Sequence, residues 1–414
     1  MEGVQVTDKT VEFDLLYCPE GNLGEVHAFN FVEYYEQFLQ KLDNPTEYNY
    51  IFNHKFESNS MHLGHNNEIV FYHLHLFCER NNIDPKNVTF INGNFKIWKH
   101  YSDWKAKVRP NSNNINFICI FWMMKFYSEY TFNDYPHNTP DLTSWVKLKN
   151  STIDPDRPME YPFNCLNRVP RRHRMSLYKR LHEQNLLDKG IVSFNEKRDV
   201  CLIGEELSKE QLDLLPIYWD FDHSFKHVND WILQKVNKHQ YEHIDNVKNP
   251  HVNDFNNIIE NSFITVVPET EYGVPESIER EWCDAEPIGY ETYQNGFITE
   301  KTFRHIRDGH PLLLVASAYT LDMLRYLGFK TFSPWIDESY DTIVDPYARL
   351  DAVVAELKRI CELTPEERKQ IYKELIPILK HNQQHLFNMK EIPTVNINDW
   401  EQYSKNWQFL PIPG

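Results

Sequence analysis

The apolar residues of the N-terminal third change period repeatedly, and that constrains the fold more than any other feature. "VEFDLLYC" reads as a strand, and "HAFNFVEYYEQFLQKL" then carries apolar residues at helical spacing. "YNYIFNHKF", "VTFINGN" and "INFICIFWMM" return to strand character. The helical stretches "EIVFYHLHLFCERNNI" and "FKIWKHYSDWKAKV" separate them. Parallel neighbours need a crossover about as long as a helix, which is what this spacing supplies. The expected class is therefore α/β: a mostly parallel sheet covered by helices.

The pattern lapses from about Thr131 to Pro162, where "TFNDYPHNTPDLTSW" and "NSTIDPDRPMEYP" carry loop chemistry. It resumes with the strand "FNCLN", the helix "RHRMSLYKRLHEQNLL", the helices "DWILQKVNKH" and "DFNNIIENS", and the strand "FITVVPET". The stretch "NGFITEKTFRHIRDGHPLLLVASAYTLDMLRYLGFKTF" then reads as strand, helix, strand, helix. Two longer helices follow, and "NINDWEQYSKNWQF" reads as one more. The expected domains are 1–150, 151–390 and a tail, 391–414, packing back on the N-terminal domain. A chain of 414 residues suits two cores.

Composition narrows the function classes. Sixty acidic residues against 43 basic give a net charge of −17, which argues against indiscriminate polyanion binding but leaves room for a local basic cleft. Seven scattered cysteines with no Cys-x-x-Cys fit free thiols in a reducing compartment. The longest apolar run, Phe117 to Met124, is far short of the ~20 residues of a membrane helix. A soluble, cytoplasmic protein with no membrane span is expected.

Two places suit an anion. Glu300 and Lys301 stand where "GFIT" meets "EKTFRHIRD", with Thr299 placed to cap the helix and Gly309 to end it. In open α/β sheets ligands bind beyond the carboxyl ends of the strands, near helix N-termini. There a lysine neutralises a phosphate and a glutamate accepts two ribose hydroxyls. The plainer alternative is that Glu300 complements the helix dipole and Lys301 is solvated. The second place is "FNCLNRVPRRHRMSLYKR", where Arg168, Arg171, Arg172, Arg174, Lys179 and Arg180 cluster where a strand hands over to a helix. Positive charge is disfavoured at a helix start, so an anion partner is implied, against the alternative of a solvated helix face. Arg168, on the loop, is best placed for bidentate contact with phosphate.

The strand–Thr-Glu-Lys–helix unit followed by an apolar strand resembles the donor-binding half of GT-B glycosyltransferases, most of all the α1,3-fucosyltransferase type. That type carries a Tyr-x-Thr-Glu-Lys-like run where this chain has Phe297-Ile298-Thr299-Glu300-Lys301. "FNCLNRVPRRHR", "FITVVPET" and "TEKTFRHIRDGHPLLLV" are similar to glycosyltransferase-like proteins of tailed phages and large viruses. The similarity spans roughly Phe163 to Asp341. It implies two Rossmann-like β/α/β domains facing across a cleft, with a nucleotide-diphosphate sugar in the C-terminal domain and the acceptor in the N-terminal one. The implied donor set is Arg168, Arg171, Glu269, Thr270, Thr299, Glu300, Lys301 and Thr302. Within it Glu300 takes the ribose, Lys301 and Arg168 take the diphosphate, and Glu269 and Thr270 lie near the sugar or base. No metal or resident cofactor is implied; the nucleotide sugar is a co-substrate. One departure is that Glu291 and Glu300 have eight residues between them, where the retaining pattern has seven, so the stereochemical outcome stays open.

Other assignments compete. Glu20 or Glu25, on the loop after the first strand, is a candidate base for an inverting reaction, against a turn on the far rim. Asp220-Phe221-Asp222 matches the metal–diphosphate motif of the GT-A class, in which the enzyme would be metal-dependent. His239, Glu242 and His243 match a short zinc pattern with no third ligand evident. His54, His62, His65, His73 and His75 form no His-x-x-x-His pair and read as ordinary surface or half-buried histidines. An oxidoreductase lacks its Gly-x-Gly-x-x-Gly run, whereas a non-catalytic nucleotide-binding protein would keep the same pattern. The expected acceptor is a glycan or other hydroxyl. Its rival is modified DNA, a hydroxymethylated base, with the host cytoplasm as the setting if the chain is viral.

Overall fold

The computed structural model describes residues 4–14, 31–54, 64–121, 124, 153–167, 172–193, 258–269, 272, 296–389, 391 and 393–396. The chain divides into two compact units. One comprises Met1–Trp122, Tyr293–Phe297 and Glu391–Gly414; the other comprises Met123–Thr292 and Ile298–Lys390. Among the described residues no helix is long and apolar enough to cross a membrane.

The first unit holds a six-stranded sheet in the order β1-β2-β3-β4-β5-β10. Its parallel strands are β2 (Thr10–Asp14), β3 (Asn49–His54), β4 (Val88–Asn92) and β5 (Asn116–Ile120). The connections carry the expected helices α1 (Phe31–Leu39), α2 (Gly64–Asn81) and α3 (Ile97–Val108). Antiparallel strands close both edges: β1 (Val4–Thr7) against β2, and β10 (Thr394–Asn396) against β5. The start of the tail thus contributes a strand to the first sheet; the stretch read from the sequence as a helix lies, beyond Asn396, outside the described residues.

Alternation along the strands builds the core. Tyr50 and Phe52 on β3, and Val88 and Phe90 on β4, are almost fully buried, while Ile51, Thr89 and Ile91 between them are partly open. Phe13, Tyr35, Phe71, Phe77, Tyr101, Trp104 and Phe117 complete an aromatic interior with tilted and edge-to-face contacts such as Phe52–Phe77 at 5.2 Å. His75 is locked into it by the Tyr101 hydroxyl, 2.9 Å from Nε2. The same hydroxyl accepts from the Ile115 N–H at 2.9 Å.

The second unit holds a four-stranded parallel sheet in the order β7-β6-β8-β9. Its strands are β6 (Tyr161–Leu166), β7 (Ile191–Ser193), β8 (Ser262–Pro268) and β9 (Leu312–Val315). The described helices are α4 (Arg172–Glu183), α5 (Glu300–Arg307), α6 (Thr320–Tyr326), α7 (Pro346–Glu362) and α8 (Pro365–Phe387). All seven residues of β8 are buried, as befits an interior strand covered on both faces. After β7 the chain returns past β6 to lay β8 on its other side. The direction of winding therefore reverses between β6 and β8, the place where an open sheet parts its crossovers and leaves a crevice at the carboxyl ends.

"GFIT" before α5 is not a strand. Gly296 N–H donates to Asn94 Oδ1 at 2.9 Å, and its carbonyl accepts from the Phe95 N–H at 2.8 Å. Those backbone groups are therefore satisfied by the first unit and not by a sheet. The helix signals did correspond to structure: Thr299 is the N-cap of α5, and Gly309 follows its end with φ +61°. A Cβ on Gly309 would also lie 2.5 Å from Ile153 Cγ1. Gly309→Ala is accordingly expected to lower stability by about 1–3 kcal/mol, read as a fall in the urea midpoint at constant slope.

Candidate functional site

The carboxyl edge of the second sheet is built around Glu269, which follows β8. Its carboxylate has no exposed surface and turns inward beneath the start of α5. Oε1 accepts from the Thr299 N–H at 3.0 Å and from Thr302 Oγ1 at 2.5 Å. Oε2 accepts from Thr299 Oγ1 at 2.5 Å. Three donors on a buried carboxylate compensate its lost hydration. Glu269, expected to line a cleft near the sugar or base, here holds the helix in place. Thr299 and Thr302, expected as donor contacts, are buried with it.

Two N–H groups at the start of α5 are thereby engaged within the protein. The Thr299 N–H goes to Glu269 and the Lys301 N–H to Thr299 Oγ1. α6 shows the same device, since the Asp341 carboxylate accepts from the Leu321 and Asp322 N–H groups at 3.1 and 3.3 Å. Burial pushes the Asp341 carboxyl up to about 7, against the pull of those two donors. Both helix starts are therefore occupied by carboxylates of the protein itself.

What α5 leaves at its start is the Glu300–Lys301 pair. Lys301 Nζ lies 2.8 Å from Glu300 Oε1 and 3.1 Å from Thr299 Oγ1, and both side chains are about one-third exposed. Burial pushes the Glu300 carboxyl up, but the Lys301 ammonium beside it prevails and holds it below the usual range. An ion pair this exposed contributes only about 0–1 kcal/mol, so little opposes its opening towards a ligand carrying both phosphate and hydroxyl groups.

Two side chains of α4 complete the floor. His173 Nε2 lies 2.8 Å from the Glu269 carbonyl, and Arg174 Nη2 donates to the Pro268 and Glu269 carbonyls at 3.2 and 3.3 Å. Arg174, one of the six clustered cations, is buried and holds the end of β8, so it is not part of an anion-facing strip. Arg180 pairs with Asp351 at 2.5 Å. Asn167, just beyond β6, is buried with Oδ1 unpaired.

Arg349 on α7 was not singled out by the sequence. It is 1% exposed, and its guanidinium donates to four backbone carbonyls. Nε donates to Ala316, Nη1 to Ile343 and Val344, and Nη2 to Tyr272, at 2.7–3.0 Å. Its guanidinium also stands 4.6 Å from the Tyr272 ring. It thereby ties the segments after β8 and β9 to α7. The available signal was positional, because Arg349 shares the apolar stripe of Val353 and Ile360.

Glu20, Glu25, Arg168, Arg171 and Thr270 lie outside the described residues, as do Asp220, Asp222, His239, Glu242, His243 and His62. Of the expected set, the structure brings together Glu269, Thr299, Glu300, Lys301 and Thr302.

No protein-family model matches the chain, and no curated protein matches it. Among solved structures, the crystal structure of an α,α-trehalose 6-phosphate synthase from Burkholderia multivorans is similar at a TM-score of 0.34 and 8% identity. The alignment covers 92% of this chain and 76% of that one. At that distance no residue role carries over.

Proposed function

We propose that the chain is a glycosyltransferase that takes its sugar from a nucleotide-diphosphate donor held at the carboxyl edge of the second sheet. The observation that carries this reading is the Glu300–Lys301 pair, set on a helix start that a buried carboxylate anchors beside the β6/β8 reversal. The ammonium suits a diphosphate, and the adjacent carboxylate suits a pair of vicinal ribose hydroxyls. With the Thr299 and Lys301 N–H groups engaged, the leaving diphosphate would be met chiefly by the Lys301 ammonium. Arg168 and Arg171 are proposed to join it, and Thr270 to lie close by. The proposed architecture is GT-B, with a glycan or other hydroxyl as acceptor and Glu20 or Glu25 as base.

Lys301→Ala is expected to weaken donor binding and to slow transfer, because the leaving group gains charge in the transition state. A lost charge-assisted contact of about 1.5–3 kcal/mol corresponds to roughly ten- to a hundredfold in kcat/KM. Glu300→Ala should act mainly on donor KM. Steady-state kinetics with UDP- and GDP-sugars, beside a thermal melt, test this. Unchanged kinetics in both variants would remove the pair from the donor site, and a large fall in Tm would make it structural.

Transfer is also expected to survive EDTA. Loss of activity restored by Mn²⁺ would move the chemistry to Asp220 and Asp222. Labelled sugar passing to hydroxymethylcytosine DNA and to no saccharide would replace the glycan acceptor with a modified base.

A further inference from the structure

The Thr299 hydroxyl meets three polar neighbours, and their chemistry fixes where its proton goes. Lys301 approaches Oγ1 twice, with its backbone N–H at 3.3 Å and its ammonium at 3.1 Å. Both groups can only donate, so they take the two lone pairs of the hydroxyl. The proton is left for the Glu269 carboxylate, whose Oε2 stands 2.5 Å away. Glu300 competes little for it: among the groups that hold the Glu300 carboxyl down, Thr299 counts for less than the Lys301 ammonium. The order is therefore ammonium to hydroxyl to buried carboxylate, and each of these bonds is charge-assisted.

Burial separates the two ends of this chain. Thr299 is 1% exposed and Glu269 has no exposed surface, so neither presents itself to a ligand. The other Glu269 oxygen accepts from the Thr299 N–H and from Thr302 Oγ1, which fixes the carboxylate against rotation. Lys301, by contrast, is about one-third exposed. Its ammonium thus has two anchors of unlike kind. One is Glu300 at 2.8 Å, a side chain as exposed as its own; the other is a buried hydroxyl that is held from beneath. A donor that draws Glu300 to its ribose removes the first anchor and leaves the second.

We infer that Thr299 is a positioning residue: its hydroxyl, turned by Glu269, keeps the Lys301 ammonium at the start of α5 while Glu300 leaves it for the donor. The inference rests on the donor reading above and adds to it a residue that acts only through Lys301. It also gives the two carboxylates different tasks, since Glu300 exchanges partners and Glu269 does not.

The test is a double-mutant cycle on the full chain, with transfer from UDP- and GDP-sugars measured for Thr299→Val, Lys301→Ala and the two combined. Thr299→Val keeps the volume and should lower kcat/KM about five- to tenfold, the value of one hydrogen bond. In the Lys301→Ala background it should lower nothing further, because the ammonium it directs is gone. The bond to the Lys301 N–H is lost in both backgrounds and cancels. Thr299→Ser restores the hydroxyl and should recover most of the loss. Glu269→Gln is a second route: its amide oxygen goes to the side of the Thr299 N–H and Thr302, so its NH₂ faces Thr299 Oγ1 and displaces the ammonium. It should behave as Thr299→Val does in the same cycle, and it carries the test if Thr299→Val does not fold. Additive losses beside a clear loss in Lys301→Ala would overturn the positioning role and leave the donor reading standing. No turnover of either donor, or no loss in Lys301→Ala, would remove the donor reading and the role with it. Without any donor, the Lys301 ammonium resonance in ¹H–¹⁵N spectra should shift in Glu269→Gln, and an unchanged resonance would overturn the relay whatever the kinetics show.

Discussion

Arg349→Met is expected to destabilise the second unit by about 4 kcal/mol or more, since four carbonyls lose their donor at ~1 kcal/mol each or more. Methionine can fill the volume but cannot satisfy Ala316, Ile343, Val344 and Tyr272. Arg349→Lys should recover only part of the loss, because one ammonium cannot span carbonyls arrayed around a planar fork. Guanidinium unfolding of the three proteins, with hydrogen exchange to localise the effect, is the measurement. A loss below about 1.5 kcal/mol would mean that water replaces the guanidinium without penalty.

The second large effect is a loss of stability in mild acid. Burial lowers His54 and His75 to about 4 and His305 to about 3, and it holds His310 well below its ordinary value. In the unfolded chain these rings take up a proton near 6.5, so between pH 6.5 and 4 the unfolded state binds more protons and gains. Stability is intact above 6.5, falls across that window and stops falling once the folded-state values are passed. Each ring removes about 1.4 kcal/mol per pH unit in mid-window, or about 3 kcal/mol over a fall from 6.5 to 4. In the second unit Asp341 acts in the opposite sense. Raised to about 7, it binds its proton earlier in the folded state and offsets part of the histidine loss. The first unit has His54 and His75, so its melting should drop most steeply. Calorimetry at pH 7, 6, 5 and 4.5 tests this, and His75→Gln should reduce the slope by about one proton. A Tm that stays flat from pH 7 to 4.5 would show that these rings are protonated in the native protein.

The elements legible in the sequence were those with strong local signals. β2 to β5 with their helices, the apolar β8 and β9, the Thr299 cap and the Gly309 terminus all follow from periodicity or from one residue's backbone preference. β1 and β7 are too short to rise above their surroundings and depend on a neighbouring strand. Ile298 and Thr299 look strand-like, yet the backbone just before them is bonded to Asn94 and Phe95, partners some two hundred positions away. The inward turn of Glu269 is hidden for the same reason, because a glutamate at the end of a strand reads alike whether it faces a ligand or the next helix. His54 was read as a surface or half-buried histidine, yet it is buried beside Asn92 in the β3–β4 register. Arg349 was the avoidable omission: a charge on an apolar helical stripe has to find acceptors inside.

The division of the chain also bears on how the protein comes off the ribosome. The polypeptide passes from one unit to the other after Trp122, returns after Thr292, leaves again after Phe297 and comes back after Lys390. The first sheet therefore lacks its β10 edge until the second unit has been made, and the nascent chain must hold β5 open at that edge meanwhile. Each unit is completed by segments synthesised on either side of the other. A single cut would yield no self-sufficient half, and synthesis of the stretch after Lys390, more than emergence of either unit, becomes the point at which the first sheet is completed.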